Sequence, residues 1–149
     1  MPRFTYIYLR AVIAGCGTLL AQVVSVKWHS GKQIVGVDTT VANLSVPAVH
    51  GGYREIVTWV GAQDCLYPTD VCGNTTYSRD YLGRNCQLPA LKIGDAIAIL
   101  DVGAYGYAMS SHFLHRPRPA EVLVETGTHR LIRKREDYSI LLDGQKGKC

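Results

Sequence analysis

Tyr105 sits between small residues in Gly103-Ala104-Tyr105-Gly106, the arrangement in this sequence that most directly suggests chemistry. Glycines let a backbone come close to a ligand, and a phenolic hydroxyl both donates and accepts hydrogen bonds. The turn lies within Asp101–Val124, after an apolar run and before a histidine-bearing segment. Arg116-Pro117-Arg118-Pro119 then stiffens the chain ahead of the strand-like run from Ala120 to Val124. The plainer alternative is a turn between strands, with Tyr105 half-buried and Gly103 and Gly106 serving the backbone. His112 and His115 share the stretch, but two histidines without carboxylate or thiol company argue against a metal site. The cysteines at 16, 65, 72, 86 and 149 contain no CxxC and no Cys/His pair, which argues against zinc. Their odd number and scatter suggest free thiols in a reducing compartment, with disulfides left open.

These residues must be positioned by one domain. A length of 149 residues suffices for a single core, and 47% hydrophobic with 19% charged residues is ordinary globular composition. The net charge of +4 is modest. Its one concentration, Arg130 to Arg135, runs straight into Glu136 and Asp137 and reads as a solvated surface, not a nucleic-acid face. From Phe4 to Val24 the chain is nearly all apolar, and Ile13-Ala14-Gly15-Cys16 resembles a lipobox. Arg10 interrupts that run where a charge is costly, so the expected reading is a strand carrying on past Cys16. A cytoplasmic protein without membrane contact follows; export as a lipoprotein through Cys16 is the alternative.

The remaining segments are short, strand-like and divided by turn signals, as in an all-β sandwich or barrel. Thr18–Trp28 and Gln33–Asp38 form an expected hairpin about His29-Ser30-Gly31-Lys32. A helical turn or loop spans Val41–Tyr53, followed by a strand over Glu55–Val60 and another around Val71. Asn74–Arg84 is polar and irregular and reads as an exposed loop. Gly94-Asp95 turns into a strand over Ala96–Leu100. A second hairpin joins Ala120–Glu125 to Arg130–Arg133, and Glu136–Leu142 fits a short terminal helix. The expected class is mainly β, a sandwich or barrel-like domain with a few short helices. It would occupy 17–142, between a segment 1–16 of unassigned role and a frayed tail 143–149.

Four ordered stretches carry a wider resemblance. They are Leu88-Pro89-x-Leu91-x-x-Gly94-Asp95, Asp101-x-Gly103-Ala104-Tyr105-Gly106-x-x-Met109-Ser110-Ser111, Arg116-Pro117-Arg118-Pro119-Ala120-Glu121-Val122-Leu123, and Arg130-Leu131-Ile132-Arg133-Lys134-Arg135-Glu136. Together they resemble the C-terminal β domain of fold-type III pyridoxal-phosphate decarboxylases, the ornithine, diaminopimelate and arginine decarboxylase family, over Gly17 to Leu142. The resemblance implies pyridoxal 5′-phosphate as cofactor and an amino-acid substrate. It also implies a partner (β/α)8 barrel that carries the Schiff-base lysine, commonly in a head-to-tail dimer. Tyr105 matches the tyrosine whose hydroxyl lies near the cofactor phosphate.

Gly73-Asn74-Thr75-Thr76-Tyr77-Ser78-Arg79-Asp80 matches the family segment with a catalytic cysteine followed by an acidic residue that binds substrate. Gly73, Ser78 and Asp80 keep its frame. Thr76 stands at the cysteine position and is a far weaker acid than a thiol. Tyr77 stands at the acidic position and offers no carboxylate to an ammonium. Cys72 lies four positions too early for the thiol's role. Val46 and His50 fall where diaminopimelate decarboxylases carry an arginine and a tyrosine for the distal carboxylate, and valine cannot bind one. His50, Tyr77 and Asp80 remain substrate-side candidates, and meso-diaminopimelate is disfavoured as substrate.

No βα repeat occurs in the 149 residues, and Lys27, Lys32 or Lys92 cannot replace the Schiff-base lysine without the barrel's scaffold. The expected function is therefore the C-terminal domain, fragment or split half, of a pyridoxal-phosphate decarboxylase that does not act alone. The alternative is a non-catalytic interaction or regulatory module built on the same domain. Either way, the face that packs on a barrel predicts homo-oligomers or self-association.

Overall fold

The computed structural model describes residues 12–59, 65–145 and 147, so the expectations resting on residues 4–11, on Val60 and on Cys149 lie outside it. Runs rich in β-branched and other apolar residues form the strands: along 32–37 buried and half-buried positions alternate, and Ile97, Ala98 and Ile99 are buried in succession. This gives β1 (Leu19–His29), β2 (Lys32–Val37), β3 (Ile56–Thr58), β4 (Tyr67–Cys72), β5 (Tyr81–Leu88) and β6 (Ala96–Ile99). They form one sheet in the order β3-β6-β1-β2-β4-β5. A short helix, α1 (Val46–His50), begins with Pro47 in its first turn and lies in the crossover between β2 and β4. A separate ribbon pairs β7 (Glu121–Glu125) with β8 (Thr128–Arg133).

The long strand β1 serves both halves of the sheet. Leu19–Gln22 pair with β6, and Val23–His29 pair with β2 across a bulge between Val23 and Ser25. Bulges bend and twist a strand, and here the sheet curls until its edges meet. Gly83 of β5 lies so close to Ile56 of β3 that a Cβ at Gly83 would stand 2.7 Å from the Ile56 Cδ1. The result is a nearly closed, mainly β barrel with few helical turns, as the sequence leads one to expect.

Its interior holds Val23, Val35, Val37, Leu44, Val71, Leu82, Leu88, Ile97 and Ile99, with Ala21, Ile56 and Leu91 completing the cluster. Polar side chains are sealed beside them, Gln33 and Thr69 both at 0% exposure. Gln33 is fully buried, donating Nε2 to the Thr69 hydroxyl (3.0 Å) and the Pro89 carbonyl (3.2 Å) while Oε1 accepts from the Leu91 N–H (2.7 Å). With its hydrogen bonds made, the amide fastens β2 to β4 and to the Pro89–Leu91 connection.

Three local expectations are corrected. Tyr81–Arg84 belongs to β5 and not to an exposed loop, because Leu82 supplies a buried anchor while Tyr81 and Gly83 pair with Cys72 and Val71. Ala14–Cys16 forms a 3-10 turn, so the strand begins only at Leu19. The terminal helix contracts to a 3-10 turn over Tyr138–Leu141, capped by the Asp137 carboxylate accepting from the Ser139 N–H at 2.7 Å.

Ile97 pairs with Ala21 on one side and Thr58 on the other and has no exposed surface. Ile97→Ala is expected to lower unfolding free energy by about 2–5 kcal/mol and Ile97→Val by about 1 kcal/mol, read from urea melts. Equal midpoints for both variants and the parent would contradict this placement of the core.

Candidate active site

β2 and β4 run parallel, with Val35 opposite Val71 and Gly36 opposite Cys72. Both strands therefore end at the same edge of the sheet, and the segments that leave them emerge side by side. The Asn74 N–H donates to the Thr39 carbonyl at 3.1 Å, and the Val41 N–H donates to Asp80 Oδ1 at 2.8 Å. The Asp80 carboxylate also accepts from the Thr75 N–H (3.1 Å) and the Thr75 hydroxyl (2.5 Å), and only 4% of the residue is exposed. Gly73 presses against this carboxylate, where a Cβ would stand 2.2 Å from Oδ1. Asp80 and Gly73 thus act as a clamp that shapes the loop. Thr76 and Tyr77 are carried exposed on it.

Burial, then the charges of Asp70 and Asp80, push the neighbouring Cys72 thiol up from its ordinary value. A thiol held protonated in this way is a poor nucleophile.

The Tyr105 turn is seated by close backbone approach. The Val102 N–H donates to the Gly17 carbonyl (3.0 Å) and the Gly103 N–H to the Ala14 carbonyl (2.9 Å). A Cβ on Gly103 would fall 2.0 Å from the Ile13 carbonyl oxygen, and one on Gly106 would fall 2.1 Å from that of Val102. Both glycines are thus demanded by the backbone itself. Tyr105 is 49% exposed and held at φ 58°, a left-handed conformation costing a non-glycine residue roughly 1–2 kcal/mol. Asp101, Leu114 and His115 in the same stretch also have positive φ. Such strain persists only where surrounding contacts impose it.

Those contacts bring the segments together. The Tyr77 ring stands edge-on to Phe113 (centroids 5.5 Å apart), Arg116 Nη2 donates to the Asn74 carbonyl (3.2 Å), and the Ser111 N–H donates to the Ala42 carbonyl (2.9 Å). Segments 39–50, 73–80 and 105–118 are therefore joined in one region. His50 is exposed at the end of α1, whereas Val46 is buried in the core. Sequence reasoning missed Phe113 as the partner of Tyr77. A large aromatic in an otherwise polar, histidine-flanked segment was the available signal.

Glu136 locks the far end of this region. Its carboxylate pairs with His112 Nε2 (2.7 Å), accepts from the Arg118 N–H (2.8 Å) and faces Arg118 Nη1 at 3.6 Å. Partial burial alone would raise this carboxyl. The Arg118 N–H, the His112 hydrogen bond and the positive groups beside it outweigh burial and hold it below its ordinary value.

Comparison with known proteins decides the family. Residues 10–103 match the profile described as the pyridoxal-dependent decarboxylase, C-terminal sheet domain. The chain belongs to that family. It is 40% identical over 139 residues to a diaminopimelate decarboxylase of Methanothermobacter thermautotrophicus, covering 91% of this chain and 32% of that protein. It is 34% identical over 134 residues to the diaminopimelate decarboxylase of Aquifex aeolicus, covering 90% of this chain and 32% of the relative. Among solved structures, the diaminopimelate decarboxylase of M. jannaschii in complex with L-lysine superimposes with a TM-score of 0.86 at 30% identity, covering 93% of this chain and 32% of that one. The Helicobacter pylori enzyme with L-lysine gives 0.81 at 34% identity, covering 89% and 32%. The chain spans about a third of the length of these relatives. Among the described residues no helix is long and apolar enough to cross a membrane, and no group of three or more His, Cys, Asp or Glu is placed to hold a metal ion.

Two outcomes test this sheet-domain geometry. Tyr105→Gly relieves the left-handed strain and is expected to raise stability by up to about 1 kcal/mol in urea melts; a loss of that size would mean the ring is a packing element. The depressed Glu136 carboxyl contributes stability that is present above its unfolded value and lost as pH falls through the lower folded value. Hydrogen-exchange protection of the Arg118 amide should therefore fall under acid conditions below the ordinary carboxylate range. Glu136→Gln should show low protection at every pH.

Proposed function

We propose that this chain supplies the β-domain side of the active site of a pyridoxal-phosphate-dependent amino-acid decarboxylase, working with a (β/α)8 barrel. The observation that carries the reading is the strained, exposed Tyr105 on a segment tied to the loop bearing Thr76 and Tyr77. Bound pyridoxal phosphate supplies the electron sink for loss of CO2. The residues present fit one edge of that cofactor: Tyr105 offers a hydroxyl donor suited to a phosphate oxygen, and the remaining holding groups belong to the barrel.

On this chain, Thr76 occupies the position from which the decarboxylated carbon is reprotonated, where its hydroxyl is a weak acid near neutral pH. Tyr77, backed by Phe113, presents an aromatic wall to the substrate's distal end, and His50 presents a ring nitrogen from α1. Asp80 takes part by holding the loop in shape.

A surface for the barrel is also present. β7 and β8 form a two-stranded ribbon, marginal by itself in water, and Val122, Val124, Leu131 and Ile132 on it are all more than half exposed. The relatives' names point to diaminopimelate, but the side chains here point elsewhere. Val46 is buried and cannot meet a carboxylate, and Tyr77 carries no charge for an ammonium.

The test mixes the purified chain and pyridoxal phosphate with the barrel domain of a relative, reading CO2 release across a panel of amino acids. The chain alone is expected to be inactive and the pair active, with Tyr105→Phe lowering kcat/KM about 10–100-fold through loss of one charge-assisted hydrogen bond. Turnover by the chain alone would refute its dependence on a barrel. Preferential turnover of meso-diaminopimelate would refute the substrate reading. A stable complex without turnover of any amino acid would favour a non-catalytic interaction module.

A further inference from the structure

His112 and Phe113 are neighbours in the chain whose side chains engage different partners. The His112 ring meets the Glu136 carboxylate at 2.7 Å, and the Phe113 ring stands edge-on to Tyr77 with centroids 5.5 Å apart. Glu136 is itself fastened by a reciprocal pair with Arg118. Its carboxylate accepts from the Arg118 N–H at 2.8 Å, and its own N–H donates to the Arg118 carbonyl at 3.2 Å. Only 18% of the Glu136 side chain is exposed, so water competes weakly for these contacts.

The turn that carries Phe113 is strained. Within the 3-10 turn Phe113–His115, Leu114 and His115 have φ of 56° and 53°, a left-handed conformation that residues with a Cβ avoid. Such neighbours persist only where contacts outside the turn impose them. Here the turn is pinned on both sides. Ahead of it His112 is held on Glu136, and behind it Arg116 Nη2 donates to the Asn74 carbonyl at 3.2 Å. Releasing the forward pin lets the turn relax, and Phe113 is the residue it carries away from Tyr77.

We propose that Glu136 is a positioning residue for the aromatic wall, acting on Tyr77 through His112 and Phe113. That Tyr77 faces a substrate rests on the decarboxylase reading; the link from Glu136 to Tyr77 does not. β8 ends at Arg133, just before Glu136. The seating of the ribbon and the pose of Tyr77 are therefore set together.

The experiment labels the full chain with 4-fluorophenylalanine. Phe4 and Phe113 are its two phenylalanines, and the fluorine resonance lost in Phe113→Leu belongs to Phe113. Tyr77→Ala removes the ring contact and is expected to shift that resonance. Glu136→Ala is expected to shift it in the same direction, as is His112→Ala. Adding Glu136→Ala to His112→Ala should produce no further shift, because the route runs through the imidazole. Glu121→Gln, which loses the ion pair with Arg133 on the same ribbon, should leave the resonance in place. A role confined to stability would lower the melting temperature without moving the native resonance. Glu136→Gln, which keeps the shape and removes the charge, takes the place of Glu136→Ala if the latter does not fold. A Phe113 resonance unmoved by loss of the Glu136 carboxylate, or fully additive shifts in the double variant, overturns the proposal. The readout needs no cofactor, barrel or turnover, so its failure is distinct from failure of the decarboxylase reading.

Discussion

The parallel ladder between β2 and β4 is the constraint on which the candidate site depends. Antiparallel neighbours would send their outgoing segments to opposite ends of the barrel. Two parallel strands release theirs at the same end, and here those segments carry α1 and the loop 73–80. A parallel pair cannot be joined by a tight turn. The crossover between β2 and β4 therefore has to be long, and it is long enough to contribute α1, which ends in His50, and β3, the strand that packs against β5 and nearly closes the barrel. Barrel closure and site assembly thus follow from one pairing.

Asp80 shows how the site is built on that base. A carboxylate removed from water must have its lone pairs used, and Asp80 uses them on donors from the crossover segment and from its own loop. The loop is consequently braced from inside, leaving Thr76 and Tyr77 outward. A comparable arrangement seats Tyr105, where backbone contacts with the Ala14–Gly17 turn fix a residue in a conformation it would not choose. In both places the exposed side chain is held by intrachain hydrogen bonds beneath it.

Much of the fold was legible in the sequence because it is written locally. Ile34, Val35 and Val37 make a β-branched run, the Gly31 and Gly94 turns punctuate strands, and the β7–β8 hairpin follows its Thr126-Gly127 turn. Tyr105 stood out from its flanking glycines, and its expected role came through a family resemblance. What stayed hidden was non-local. Nothing around Gln33 or Asp80 announces burial, since both look like surface residues until partners distant in sequence accept or donate. The β5 strand was lost in a polar stretch because Leu82 is its one deeply buried residue before Leu88. The meeting of Tyr77 with Phe113 likewise needs the tertiary fold.

The β7–β8 ribbon has one further consequence. A two-stranded ribbon presents free backbone donors and acceptors along its outer edges, and exposed β-branched residues make such edges prone to recruit foreign strands. β8 interrupts its apolar residues with His129, Arg130 and Arg133, and Lys134 and Arg135 follow at once. A growing stack of such strands would bring like charges into register about 4.8 Å apart, which opposes fibril formation. The basic residues of the ribbon are thus placed as gatekeepers against self-templated aggregation.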